Sequence, residues 1–334
     1  MSFEAPVQSA PAIWYRHPWF RQWGGYVLAA LGAFLFASKG IWIKLAYHYQ
    51  TDASSLLTLR LALATPFFVL GGVLTWWRAR TSGTSTVPSI DTEPLLYLKA
   101  MAVGVLGYWV ASYTDFASLE TLSPQFERMI LFTYPLFVIL FGAALFGQVL
   151  RVSALWTFGI AYAGLGLVFV TDLRAHGSAI AVGALWCAVS SVAFAMYLLL
   201  AKPVIKRLGP SMFTSFAMSG AAIATFIQFA FVHRLSDFHM SPALWSLGFG
   251  LAIGATVMPS YLTNFALSLI SSQANAVISF INPVFTLALS ALLLKEKITA
   301  ADIIGTLLVI VGVGLYTLLD QRQNSRTQPR SAKG

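Results

Sequence analysis

One apolar, proline-containing pattern occurs twice in this chain, and the duplication constrains the fold more than any other feature. The first copy runs Ser123-Pro-Gln125 and then Ile130-Leu-Phe132-Thr-Tyr-Pro135-Leu-Phe137; the second runs Ser271-Ser-Gln273 and then Ile278-Ser-Phe280-Ile-Asn-Pro283-Val-Phe285. The same offset relates Ser112-Tyr113 to Ser260-Tyr261 and Gly164-Leu-Gly166 to Gly312-Val-Gly314. Two related apolar halves are the usual plan of a secondary transporter, in which one half moves against the other around a midplane site.

The composition excludes an ordinary soluble domain. Of the 334 residues, 57% are hydrophobic and 10% are charged, and the mean hydropathy is +0.73. Soluble domains carry about 25% charged residues. The basic residues behind the net charge of +9 lie mostly in short segments between apolar runs, where they set membrane orientation and contact anionic lipid. We therefore expect the lipid bilayer, and no nucleic acid, as a partner.

Ten apolar runs have about the 20-residue length that a helix needs to cross the hydrocarbon core. Strands of a membrane β-barrel would be about half as long and would alternate apolar with polar residues. The sequence therefore predicts an all-α polytopic membrane protein with ten transmembrane helices, at residues 26–47, 55–77, 95–116, 124–146, 153–171, 178–201, 211–232, 242–267, 272–294 and 303–319.

The distribution of lysine and arginine predicts the orientation, because cytoplasmic segments carry an excess of both. With the N-terminus inside, the outer segments hold only Arg174, Arg234, Lys295 and Lys297, whereas the inner segments hold Arg16, Arg21, Arg78, Arg80, Lys99, Arg151, Lys202, Lys206, Arg207, Arg322, Arg326, Arg330 and Lys333. We expect a multi-pass protein of the cell (inner) membrane with both termini in the cytoplasm.

Five predicted spans per half is an odd number, so two successive halves insert with opposite orientation and form inverted repeats. The predicted domains are a cytoplasmic N-terminal segment at 1–25, a first repeat with helices 1–5 at 26–173, a second repeat with helices 6–10 at 174–319, and a basic cytoplasmic tail at 320–334.

Few residues suit catalysis or metal binding. Cys187 is the single cysteine, and the five histidines lie at or near segment ends without metal-ligand spacing. A membrane enzyme would need a nucleophile, paired acids or metal ligands within its spans, and predicted helices 5 to 9 contain no charged residue. We expect no cofactor, no metal and no enzymatic activity.

The ordered motifs resemble the EamA family of the drug/metabolite transporter superfamily. The matching stretches are residues 38–44 with Arg60, residues 127–135, and residues 282–296 with 302–314. The first repeat departs from the pattern, because Gly147-Gln148 stands where the second has Lys295-Glu296. The resemblance implies a ten-helix inverted-repeat carrier that exports small metabolites or drugs.

Ionisable residues inside the predicted spans concentrate in one layer, near the outer ends of the first repeat's helices. A lone charge at the bilayer centre costs about 2.5–3.5 kcal/mol on insertion scales, so we expect these groups to be paired or hydrated. The predicted network, a salt-bridged gate at the outer mouth, sets Lys44, Arg60 and Arg128 against Asp115, Glu120 and Glu127. Static clamps, or end charges that snorkel to the interface, remain the alternatives.

Lys39 is the deepest of these charges, and small neighbours leave room for its side chain. We hypothesise that its ammonium binds a substrate carboxylate or phosphate, or titrates during the transport cycle. The alternative is that Lys39 is an inner partner of Asp115.

Polar and aromatic residues in the spans are candidates for the lining of a cavity. The set predicted to contact substrate, besides Lys39, is Tyr108, Trp109, Tyr134, Trp186, Tyr197, Tyr261 and Asn282. Pro135 and Pro283 are predicted to kink their helices. Paired glycines in helices 5 and 10, such as Gly164 and Gly312, indicate a close-packed helix contact and a candidate homodimer surface.

Taken together, the sequence favours a secondary transporter that exports a small polar or amphipathic metabolite, amino-acid-like or drug-like, by alternating access. The partner implied is a small-molecule substrate. An uptake permease or a uniporter of the same fold remains an alternative, as does a channel.

Overall fold

The computed structural model describes residues 18–81, 93–147, 152–234, 240–267, 269–270, 278 and 281–327, and the regular structure in these ranges is helical throughout. The α-helices are α1 Pro18–Ala37, α2 Lys39–Tyr47, α3 Ala53–Thr81, α4 Pro94–Gly104, α5 Ala111–Ser118, α6 Pro124–Leu131, α7 Tyr134–Phe146, α8 Val152–His176, α9 Ala179–Leu208, α10 Pro210–Val232, α11 Pro242–Phe249, α12 Met258–Leu267, α13 Asn282–Leu289 and α14 Ala300–Thr327. Three π-helical segments complete the list: π1 Val105–Val110, π2 Gly250–Val257 and π3 Ser290–Leu294.

Eight stretches in these ranges are long and apolar enough to span a membrane: Trp23–Tyr47, Ala53–Arg78, Pro94–Ser118, Pro124–Phe146, Trp156–His176, Ala179–Leu208, Pro210–Val232 and Pro242–Thr263. Two shorter apolar helices follow, Asn282–Leu294 and Ala300–Tyr316. The prediction of an all-helical, multi-pass membrane protein is confirmed at this level. The start of the predicted ninth span, most of the segment 1–25 and the end of the tail lie outside the described residues.

Serine-proline pairs begin two of the helices. The Ser123 hydroxyl accepts a hydrogen bond of 3.2 Å from the Phe126 amide at the start of α6, and the Ser241 hydroxyl accepts one of 3.2 Å from the Leu244 amide at the start of α11. In both cases proline occupies the first helical position, where its missing N–H costs nothing.

Helix breaks accompany the prolines at 135 and 283. The fourth span is interrupted at residues 132–133, and α7 begins at Tyr134 with Pro135 in its first turn. Pro283 likewise stands in the first turn of α13.

The third and eighth spans each contain a π-helical segment at corresponding places in the duplicated pattern. The offset that relates Ser112 to Ser260 also relates Tyr108 in π1 to Thr256 in π2. A π segment inserts an extra residue into a helix and often marks a functional site. In π2 the Thr256 hydroxyl donates to the Leu251 carbonyl five residues earlier, at 3.0 Å.

Glycines set the contact between α8 and α14. A Cβ atom on Gly164 would lie 2.7 Å from the Gly305 carbonyl oxygen, and one on Gly305 would lie 2.9 Å from the Gly164 carbonyl oxygen. Each helix therefore rests on the backbone of the other. The glycine face predicted as a contact surface is used, at these positions, within one chain.

Candidate functional site

A cavity of about 640 Å³ lies between helices of the two halves. Its walls come from α1, α3 and π1 in the first half and from α9, α10, π2 and α12 in the second. It extends from the buried Arg60 and Thr256 to the exposed Arg78, Pro210 and Ser211. Among the described residues that line it, the charged side chains are Arg60 and Arg78, and none is an aspartate or glutamate.

Arg60 lies at the buried end of this cavity, with 7% of its surface exposed. Its Nε donates to Thr256 Oγ1 at 3.1 Å and its Nη1 to Ser112 Oγ at 3.5 Å. The guanidinium carbon lies 5.4 Å from the centroid of the Phe116 ring, within the range of a cation–π contact. Arg60 thus connects the third and eighth spans through hydroxyl groups.

In the described part of the chain, Arg60 has no carboxylate within 4.0 Å. The sequence assigned it to the ion network of the outer gate, and the structure places it beyond ion-pair distance of the carboxylates of that network, of which Asp115 still attracts it. Its side chain lines the cavity on the same face of α3 as Phe68, Gly71, Thr75 and Arg78, which recur at helical spacing.

Aromatic side chains form much of the cavity wall. The Tyr197 hydroxyl donates to the Tyr108 hydroxyl at 3.0 Å, and the two ring centroids lie 5.2 Å apart in an edge-to-face arrangement. Gly107 makes this contact possible, because any Cβ there would overlap the Tyr197 ring. Tyr261 stacks on Phe68 at 6.2 Å and donates to the Phe67 carbonyl at 3.3 Å.

The other substrate candidates are not themselves in the lining of this cavity, although Tyr134 packs against the lining residue Phe194. Trp109 donates to Gln228 Oε1 at 2.6 Å, Tyr134 packs edge-on against Phe194 at 5.1 Å, and Trp186 packs against Tyr113 at 6.4 Å. The Asn282 side-chain oxygen is buried without a hydrogen-bond partner among the described residues.

A buried ion cluster brings together four charged residues of the first repeat. Lys39 Nζ lies 2.5 Å from Asp115 Oδ2 and 3.8 Å from Glu127 Oε1, and Arg128 Nε lies 4.0 Å from Glu127 Oε2. Arg128 also donates to the Phe36 carbonyl at 3.2 Å. The cluster therefore joins α2, α5 and α6.

Lys39 is the central cation of this cluster and does not line the cavity. The structure thus favours the alternative in which Lys39 is a partner of Asp115. Gly40 explains the proximity, because a Cβ at that position would lie only 2.9 Å from the Pro124 side chain. The missing side chain lets α2 approach the start of α6 and brings Lys39 next to Glu127.

The cluster is incompletely hydrogen-bonded. Asp115 Oδ1 and both carboxylate oxygens of Glu127 are buried without a hydrogen-bond partner among the described residues. Buried polar groups are nearly always hydrogen-bonded, and the exceptions are costly.

Lys44 and Glu120 lie near the cluster without joining it, since neither has an ion-pair partner within 4.0 Å among the described residues. Lys44 lines a second, polar cavity of about 460 Å³ together with Asp172, His176, Glu296 and Asp302. Glu120 is exposed and accepts a hydrogen bond of 3.2 Å from the Ala53 amide at the start of α3. The predicted six-residue network is therefore smaller, and Lys39 takes the place given to Lys44 and Arg60.

No group of three or more His, Cys, Asp or Glu residues that could hold a metal ion occurs in the described ranges. The cavity residues that sequence reasoning missed include several with hydroxyl side chains, such as Thr256 and Ser260. The signal for them was present in the repeat, which aligns Thr256 with Tyr108 and Ser260 with Ser112.

Comparison with known proteins agrees with this architecture. The model of the EamA-like transporter family matches residues 23–170 and again residues 181–318. The chain is 27% identical to the uncharacterized transporter YcbK of Bacillus subtilis, over 84% of this chain and 88% of that protein. It is 22% identical to the uncharacterized transporter sll1319 of Synechocystis, over 87% of this chain and 92% of that protein.

A solved crystal structure shares the fold, with a TM-score of 0.57 at 18% identity over 90% of this chain and 98% of the other. The two matched repeats cover most of the sequence, and the apolar helices are those of a multi-pass membrane protein. The chain belongs to the EamA-like transporter family, within the drug/metabolite transporter superfamily.

Proposed function

We propose that this protein is a secondary transporter that exports a small polar or amphipathic metabolite across the inner membrane by alternating access. Its moving parts are two inverted repeats, residues 26–173 and 174–319, and both termini are cytoplasmic. The observation that carries the proposal is the cavity of about 640 Å³ whose walls come from both halves. Binding cavities for small molecules have volumes of about 300–1,000 Å³.

The cavity opens toward the cytoplasm in this proposal. Its accessible end holds Arg78, Pro210 and Ser211, next to Arg80 and Arg207. An excess of basic residues marks the cytoplasmic side of a membrane protein. The described conformation is then inward-facing, and substrate enters from the cell interior.

The ion cluster of Lys39, Asp115 and Glu127 acts as the outer gate. Its members stand at the start of α2, near the end of α5 and in the first turn of α6, which in this orientation is the outer half of the first repeat. Outward opening requires α2 to move from α5 and α6, which separates Lys39 from both carboxylates. Because these carboxylates lack some hydrogen-bond partners in the closed gate, less energy is needed to separate them from Lys39.

Flux measurement tests this function. The purified full chain is reconstituted into proteoliposomes, and a panel of amino acids, organic acids and aromatic amines is screened for flux with and without a pH gradient. We expect saturable flux that is accelerated by unlabelled substrate on the opposite side. Conductance proportional to voltage, without saturation or counterflow, would instead identify a channel.

A further inference from the structure

We propose that Arg60 binds the carboxylate of the substrate, and that the substrate is an organic anion with an aromatic or apolar body rather than a zwitterion or a cation. The inference rests on the proposed transport function and names the substrate class of the same cavity. It is carried by the charge balance, the cavity lining and the free donors of the guanidinium.

The buried charges of the first repeat do not balance. Lys39 and Arg128 are within ion-pair distance of Asp115 and Glu127, so that two cations face two carboxylates. Arg60 is a third buried cation whose direct contacts are neutral hydroxyls and an aromatic ring, and Asp115, already paired with Lys39, attracts it only from beyond 4.0 Å. Charged groups inside membranes are almost always paired, hydrated or functional. An anion in the cavity would supply the missing charge.

The cavity attracts anions along its length. Arg60 and Arg78 lie on the same helix, 18 positions apart, which is about 27 Å at the helical rise. The described lining contains no carboxylate to offset them. A cleft with one sign of charge between apolar walls concentrates counter-ions of the opposite sign. A cationic substrate would be repelled by Arg78 at the exposed end of the cavity and by Arg60 at its buried end.

The guanidinium is also oriented to accept a ligand. Hydrogen bonds hold Nε and Nη1, and the Phe116 ring lies 5.4 Å from the guanidinium carbon. The Nη2 atom has no hydrogen-bond partner among the described residues, and it is not among their fully buried unpaired atoms. Arginine binds carboxylates through two parallel N–H donors. A carboxylate would therefore contact the edge of the guanidinium that carries Nη2.

The rest of the lining suits an apolar or aromatic body and does not neutralise an amine. The same cavity is lined by Phe36, Phe68, Phe194 and the three tyrosines 108, 197 and 261. The polar groups among them are hydroxyls, which can hydrogen-bond an ammonium but cannot balance its charge. The expected order of affinity is carboxylate, then zwitterion, then amine.

A matched set of four compounds separates these classes: 3-phenylpropanoate, 3-phenylpropan-1-ol, phenylalanine and phenethylamine. They share one aromatic body and differ in the charged group. Binding of each to the purified full chain in detergent is measured by calorimetry at millimolar concentration. We expect 3-phenylpropanoate to bind at least about tenfold more tightly than the alcohol, and phenethylamine to bind weakest.

In Arg60→Gln we expect the preference for the acid over the alcohol to fall by about tenfold or more, with binding of the alcohol retained. Arg60→Lys should keep part of the preference, because it keeps the charge but loses the fork. Lys99→Gln, which removes an exposed charge away from the cavity, is the control. A merely structural role of Arg60 would weaken all four compounds together.

The proposal is overturned if wild-type protein binds phenethylamine best, if it fails to bind 3-phenylpropanoate at millimolar concentration, or if Arg60→Gln keeps the acid preference. The first of these results is readable even if Arg60→Gln does not fold. Saturable flux of a cation would refute the anion site and leave the transport function intact. If the protein binds 3-phenylpropanoate tightly but shows no carrier-type flux, the transport function is refuted and the anion site stands.

Discussion

Lys39 Nζ lies 2.5 Å from Asp115 Oδ2, a pair that joins residues 76 positions apart and links the first span to the third. The pair is mostly shielded, with side-chain exposures of 15% for Lys39 and 4% for Asp115. Glu127, fully buried, lies 3.8 Å from the same ammonium. One lysine therefore lies within 4.0 Å of two carboxylates, and its movement would break both ion pairs.

Removal of the lysine alone should destabilise the protein. Lys39→Met leaves Asp115 and Glu127 buried with only Arg128 nearby, and breaking a buried ion pair in this way costs about 3–5 kcal/mol. We expect a clear fall in the thermal unfolding temperature of the detergent-solubilised chain. The double variant Lys39→Met/Asp115→Leu should be more stable than the single variant, because it removes one of the two stranded carboxylates. If the double variant loses as much stability as Lys39→Met, or as much as both single losses added, then Lys39 and Asp115 do not stabilise the protein as a pair.

The contact between α8 and α14 offers a matched pair of glycine substitutions. Gly164→Ala places a Cβ 2.7 Å from the Gly305 carbonyl oxygen, whereas a Cβ on Gly166 has nothing within 4 Å. We expect Gly164→Ala to lower the free energy of unfolding by about 1–3 kcal/mol through overpacking. Gly166→Ala should be neutral or stabilising by up to about 1 kcal/mol, because alanine is the better helix former. A chemical unfolding series would compare them, and equal effects would contradict the close contact.

Glu296 lies outside the membrane spans, and its carboxyl should make the stability of the fold depend on pH. Burial raises the pKa of its carboxyl above the usual range, with Asp302 and Asp172 adding to the rise and Lys44 opposing it. A raised pKa in the folded state means that the protonated form favours folding. This contribution is complete below about pH 4, the usual value for glutamate, and is lost as the pH rises through the folded-state pKa.

Glu296→Gln should therefore gain unfolding temperature relative to wild type as the pH is raised from about 4 toward neutral. Thermal unfolding of both proteins across that range is the measurement. Parallel curves, or a gap that widens toward low pH, would show that the folded state does not raise this pKa.

Much of the fold was readable from the sequence because its signals are local. Run length and composition predicted the first eight spans, with ends that agree within five residues except for the sixth, which continues seven residues further to Leu208. The Ser-Pro pairs at 123 and 241 stand at helix starts with their caps. The duplicated pattern also pointed to the family through the order of its motifs.

The site was less predictable, because distance along a helix gives depth but not direction. Lys44 and Arg60 were assigned to the gate by depth, and Lys39 was set apart as the deepest charge. Lys39 and Lys44 are five positions apart and point about 140° from each other. The approach of Lys39 to Glu127 depends on Gly40 and Pro124, a contact between segments far apart in sequence. The π1 and π2 segments add a further rotation of about 100° for each extra residue, which no apolar periodicity reveals.

The most direct test of the account is the sidedness of the cavity. In a Cys187→Ala background, Thr75→Cys places one thiol on the cavity wall near Arg78. Membrane-impermeant maleimide is added from either side of oriented proteoliposomes that contain this variant, in which Lys39, Asp115 and Glu127 are unchanged. Labelling from the cytoplasmic face and protection from the outer face is the predicted result. Labelling from the outer face at an equal rate would contradict a cavity closed by the Lys39 cluster.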